Sequence, residues 1–153
     1  MLLFKKSVNN CMTAQAQFFK LLVDHSSVTG FECPESLYWY LSHLLDSRLT
    51  RVDLIPDPSF AERYLLLYQS TDSTQYKDYA DSCLFFTALL PEYGQRRGLS
   101  MDYYATLGIS TYYALGDMVS DPRFTQLGNW FYALQKFLNS AIKPEQRLQL
   151  FPI

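Results

Sequence analysis

The 153 residues of this chain predict a single all-α domain, a bundle of about six helices, and three observations carry that reading. Apolar side chains recur at spacings of three and four, and no stretch alternates with the period of two that a half-buried strand requires. Prolines and small polar residues fall where helices start and stop. One run, Cys83, Leu84, Phe85, Phe86, Thr87, Ala88, Leu89 and Leu90, is apolar all round, as a helix enclosed by its neighbours would be.

Asn9 or Asn10 is placed to cap a first helix over about residues 11–24, with Met12, Phe19, Leu22 and Val23 on one face and a stop near His25. Pro34 and Glu35 open a second helix that runs to Arg48 with Leu37, Leu41, Leu44 and Leu45 as its stripe. An extended connector rich in Asp and Pro leads to Asp57-Pro58, a cap and first-turn proline for a third helix on which Phe60, Tyr64, Leu67 and Tyr68 share a face. Ser73 or Thr74 caps the fourth helix, whose polar first turns give way to the apolar run. Pro91, Gly94 and Gly98 mark a corner, with Pro91 tolerated only with a kink.

Ser100 caps the fifth helix, where Tyr104, Leu107, Thr111, Leu115 and Met118 lie on one side and Gly108 and Gly116 admit a close neighbour. Asp121-Pro122 begins the sixth, whose Phe124, Leu127, Phe131, Leu134, Leu138 and Ala141 form the most regular stripe in the chain, ended by Lys143-Pro144. Helices four and five are expected to be the central hairpin. The domain is read as residues 1–153, with 1–9 and 145–153 as peripheral tails; Leu148, Leu150, Phe151 and Ile153 give the second tail the means to dock.

Composition narrows the function classes. Apolar residues make up 48% and charged residues 18%, which suits a globular fold rather than a disordered one. Thirteen basic against fifteen acidic residues leave a net charge of −2, and neither half carries the basic excess that nucleic acid demands. Cys11, Cys33 and Cys83 are too far apart for a zinc site or a disulfide framework. The opening residues reverse the order of a signal peptide and no apolar run can span a bilayer, so the expectation is a cytoplasmic protein with no membrane partner.

No catalytic, metal or cofactor motif emerges. His25 and His43 pair with nothing at ligand spacing. Asp78 and Asp81 lie three apart on the fourth helix, the spacing of a carboxylate pair, yet no second helix offers partner carboxylates. Asp81, at the edge of the apolar run, suits a buried hydrogen-bond network with a tyrosine or an arginine, with acid-base catalysis as the alternative. Arg96 and Arg97 could hold an anion or neutralise helix carbonyls. Cys83 sits in apolar sequence that keeps its thiol protonated.

Twelve tyrosines exceed what one small core encloses. Neighbouring residues on a helix point apart, so one member of each of the pairs Tyr103-Tyr104 and Tyr112-Tyr113 should reach the surface. Exposed aromatics suit protein contacts, as well as ordinary rim positions.

Phe18, Phe19, Leu22, Tyr40, Leu41, Leu44, Leu45, the segment from Asp81 through Leu84, Phe85 and Phe86, Pro91, Glu92, Arg97, and the segment Asp102, Tyr103, Tyr104, Leu107, Gly108, Tyr112 together resemble a family of uncharacterised bacterial helical proteins. That family carries Gly-Asp-x-x-Leu-Phe-Phe-x-Gly-x-Phe followed by Asp-Tyr-Tyr-x-x-Leu-Gly-x-x-x-Tyr. Ala80 and Ala88 replace its two glycines here. The resemblance implies a bacterial helical domain and no particular chemistry.

The expected function is a non-enzymatic helical interaction module meeting an unknown protein partner or self-associating with a second copy through its exposed aromatics. The alternatives are a small-ligand binder with a tyrosine-lined pocket and an enzyme using Asp78, Asp81 and Arg97. Candidate site residues are Asp81, Arg97, Tyr103, Tyr104 and Tyr112, as a ligand-binding or structural polar network.

Overall fold

A computed structural model describes residues 12–153, whose regular secondary structure is all helix, with no strand among the described residues. The described residues form nine helices, α1 Ala14–Thr29, α2 Glu35–Arg48, α3 Phe60–Leu67, α4 Ser73–Leu89, α5 Pro91–Arg96, α6 Met101–Val119, α7 Pro122–Asn129, α8 Phe131–Ala141 and α9 Pro144–Leu150. The all-α class therefore holds, and the count of six is corrected in three places.

At the corner, Leu90 leaves helical geometry (φ −126°, ψ 32°) and Pro91 starts α5 as its first residue, so the proline opens a new short helix instead of kinking the old one. The long sixth helix is two, α7 and α8, separated at Trp130. Gly128 and Asn129 are both poor helix formers, and the Tyr113 hydroxyl holds the Asn129 side chain. Phe124, Leu127, Phe131, Leu134, Leu138 and Ala141 are all buried across the break, as their spacing predicts. Pro144 both follows the end of α8 and opens α9, whose first turn closes when Gln146 Oε1 accepts the Lys143 N–H at 3.0 Å.

Thr13 caps α1 through a 3.1 Å bond from the Ala16 N–H; Asn9 and Asn10, the expected caps, and Cys11 lie outside the described residues. The helix runs past His25 to Thr29, Ser27 and Thr29 satisfying their hydroxyls on carbonyls four residues earlier at 3.2 and 3.0 Å, and Gly30 (φ 75°) is the stop. Its buried face is Phe18 and Leu22, while Met12 and Val23 are exposed, a rotation from the expected stripe. Tyr68 of the expected third-helix face is likewise exposed, its hydroxyl paired with that of Tyr64. Asp72, rather than Ser73 or Thr74, caps α4, accepting both the Thr74 N–H at 3.0 Å and the Thr74 hydroxyl at 2.6 Å. Ser100 caps α6 as expected.

The core centres on α4, whose residues 83–89 are all buried together with Leu90 after it. It packs most extensively against α6 and also meets α8, α2, α3 and α5. The central hairpin is thus α4 and α6, with α5 set into its corner. The two run antiparallel, placing Cys83 beside Gly108 and Phe86 edge-on to Tyr104. A Cβ added at Gly108 would lie 2.7 Å from that of Cys83 and 2.8 Å from the Phe131 ring, so the glycine sets the spacing of three helices. Gly116 does the same for α6 and α7, where a Cβ would meet Thr125 Oγ1 at 2.6 Å. Burying each of Phe85, Phe86 and Phe131 is worth about 1.5–3 kcal/mol, which is how this unstapled chain holds together. The C-terminal segment docks, with Phe151 buried against Phe18 and Phe85. Residues 1–9, the other expected tail, lie outside the described residues.

Candidate functional site

Three elements bring polar side chains together beneath the surface: the middle of α2, the polar half of α4 and the middle of α6. Asp81 is at their meeting point, 2% exposed. Its Oδ1 accepts the hydroxyls of Tyr40 and Tyr112, each at 2.6 Å, and its Oδ2 accepts from Lys77 Nζ at 2.9 Å. Lys77 reaches it from one turn earlier on α4, its ammonium 5.0 Å from the centre of the Tyr40 ring. A carboxyl group buried this deeply is tolerated because hydrogen-bond donors take both its oxygens.

Asp78 does not join it. Arg48, 4% exposed, stands beside Asp78, with Nη2 3.7 Å from its Oδ1 and 3.2 Å from the Ser82 hydroxyl oxygen to which it donates. Arg51 binds Asp78 through Nη1 and Asp53 through Nε and Nη2, at 2.9 and 2.8 Å. Arg48, Arg51 and Lys77 thus match Asp53, Asp78 and Asp81 charge for charge. Burial pulls the Arg48 guanidinium below its ordinary pKa and nearby Asp81 opposes the shift. Hydrogen bonds to Asp53, then Asp78, push Arg51 up, and the same bond to Arg51 pulls Asp53 down.

Burial first, and the Asp81 charge second, raise Tyr40 and Tyr112 well above the ordinary phenol pKa of 10.0. The sign of the consequence is definite. A raised pKa means that the folded chain keeps protons the unfolded chain would release, so the stabilisation is whole below about pH 10 and is lost as the pH climbs toward the raised folded values. Urea unfolding should accordingly show stability level up to about pH 10 and falling above it, by up to about 1.4 kcal/mol per pH unit for each group. The slope should be shallower in the Tyr40→Phe/Tyr112→Phe variant; an equal slope would mean that other groups govern it.

Of the sequence-predicted site residues, Asp81 and Tyr112 are brought together. Tyr104 is buried but packs its ring against Phe60 and Phe86. Tyr103 is exposed, and Arg97 lies exposed on the corner, donating to the Tyr93 carbonyl at 3.0 Å. The expected Asp81 and Arg97 tie is therefore corrected: Arg97 serves the carbonyls of α5, as Arg96 does through Glu92. Tyr40, Lys77, Arg48 and Arg51 complete the network though none was a candidate site residue. Lys77 stands four residues from Asp81, and Arg48 four from Leu44 on the α2 stripe, so both carried a local signal.

Beside the network opens a cavity of about 560 Å³ between α3, the connector 51–57 and the first half of α4. Asp78 and Ser82 line it on one side and Phe60 and Leu67 on another; Tyr79 is its only tyrosine, and neither Asp81 nor Arg97 reaches it. The expected pocket thus exists in another place and with other fixtures. Among the described residues no three His, Cys, Asp or Glu side chains are grouped to hold a metal ion, and no helix is long and apolar enough to cross a membrane. His43 is exposed, and His25 meets Ser140 of α8 at 2.8 Å. Burial pushes the Cys83 thiol up, keeping it protonated. Comparison with protein-family models, curated proteins and solved structures finds no match to this chain.

Proposed function

We propose that this chain is a non-enzymatic helical interaction module that pairs with a second copy of itself through apolar side chains displayed on and beside α3. The observation that carries the proposal is the exposure of Leu65, Leu66 and Tyr68, at 67, 61 and 61%. Three large apolar groups within four residues stand in water while the same helix buries Phe60 and Leu67 on its inner side. A two-fold pairing would cover each copy's patch with the other's. The surface members of the tyrosine pairs, Tyr103 and Tyr113, with Trp39 and Tyr132, widen the supply of amphipathic contact groups.

The catalytic alternative loses its basis in the geometry. Asp78 faces Arg48 and Arg51, Asp81 is enclosed by its donors, and Arg97 stands apart, so the three never converge on an open cleft. Within the proposal, the chain is a diverged relative of the bacterial helical family its motifs resemble, and the all-helical fold supports that reading.

Light scattering across a concentration series tests self-association. The expected mass rises toward twice the 17.8 kDa of one chain, and Leu65→Glu returns it to a single chain. A mass that stays at one chain up to the highest soluble concentration would overturn the proposal.

A further inference from the structure

The cavity between α3, the connector and α4 and the exposed patch on α3 meet at one residue, Leu66, which lines the first and belongs to the second. Resting on the self-association proposed above, we infer that the cavity is the socket of the pair and that the last turn of α3 from a second copy, led by Leu66, fills it. Two copies related by a two-fold axis beside Leu66 exchange these turns, each filling the other's cavity.

Area is the first argument. Leu65, Leu66 and Tyr68 leave 67, 61 and 61% of their surface in water. Together that is roughly 400 Å², about half of the ~800 Å² that each partner contributes to a stable complex of standard size. The patch alone is too small to hold a pair. Apolar surface continuous with it is supplied by the cavity, where Leu54, Phe60 and Leu67 are buried walls and Ile55 and Pro56 are half-buried on the connector side. Leu66 lines this space and is still largely exposed, so it stands at the mouth rather than plugging it.

The chemistry of the lining is the second argument, because its charges are already answered within the chain. Arg51 is held by Asp53 and Asp78. Asp57 accepts the N–H and the hydroxyl of Ser59 at 2.9 and 2.6 Å, with Arg63 in electrostatic reach. A charged guest would forfeit its hydration here without gaining an unmatched partner. Leucine methyls, by contrast, gain by leaving water for the Phe60 and Tyr79 rings, which stack with 4.4 Å between centres. The volume of about 560 Å³ exceeds any single side chain, so Leu65 has room beside Leu66.

NMR on a mixture of two labelled full-length chains tests the socket. One chain carries protonated leucine methyls and the other protonated tyrosine rings, both in a deuterated background, so methyl-to-ring cross-peaks arise only between copies. The expected cross-peaks run from the Leu65 and Leu66 methyls to the Tyr79 ring. Gln75→Trp supplies a second arm: Gln75 is exposed and lines the cavity, so an indole there occupies the socket and leaves Leu65, Leu66 and Tyr68 unaltered. It should raise the dissociation constant of the pair about tenfold, with helical content at high dilution verifying the fold. A pair whose cross-peaks reach Tyr68 but not Tyr79, or whose dissociation constant is unmoved by Gln75→Trp, overturns the socket and leaves self-association standing. A parent chain that stays single at every concentration overturns both.

Discussion

Asp81→Leu should cost about 3–5 kcal/mol in urea unfolding, a large share of the stability of a domain this size. The substitution keeps the side chain's bulk and removes every acceptor. Two buried hydroxyls, Tyr40 and Tyr112, are then left without partners, and Lys77 and Arg48 lose the carboxylate that balances them. Asp81→Asn should fall between, because its carboxamide oxygen still accepts from the tyrosines while its amide faces the Lys77 ammonium. Tyr40→Phe and Tyr112→Phe should each cost about 1–2 kcal/mol alone. Combining both with Asp81→Leu should recover part of the loss, since no orphaned hydroxyl then remains. If Asp81→Leu lies within about 1 kcal/mol of the parent, the network is incidental to the fold.

The network also shows where the sequence stops being informative. Helix existence and the buried stripes were readable because they depend on neighbours three and four residues away, and Ser100, Asp121-Pro122 and the 83–90 run were found on that basis. The α7 and α8 break escaped because it does not disturb the spacing: Trp130 departs from helical geometry mainly in ψ, and the stripe passes through it. The face of α1 was misjudged because Met12 lies before the helix and Phe18, not Phe19, points inward. Asp81 stood out as a charge on the threshold of an apolar helix, but Tyr40 is 41 residues away and Tyr112 is 31, and no local pattern encodes such pairings. Arg97 was chosen because it stands beside glycines near Asp102, whereas the arginines that matter, Arg48 and Arg147, are buried by the packing of other elements. The cavity depends on the path of an irregular connector, which periodicity does not describe.

Arg147→Met should cost about 3 kcal/mol and loosen more than the helix that carries it. Arg147 is 3% exposed, and its guanidinium donates to the carbonyls of Ile142 at 2.8 Å, Asn139 at 2.6 Å and Leu89 at 3.2 Å. These are end groups of two helices, α8 and the central α4, which have no partner within their own helices and collect the negative end of the dipole. Methionine fills the space and offers no donor, so buried carbonyls at both ends are left unmatched. Arg147→Lys should recover only part, because a compact ammonium lacks the planar fork that reaches three acceptors at once. Hydrogen exchange separates the two ways the loss could appear. If Arg147 merely pins the C-terminal segment, exchange rises in residues 144–151 while the global unfolding free energy holds. Because Leu89 terminates the helix around which the core is built, the expected result is a fall in global stability together with faster exchange at the ends of both α4 and α8.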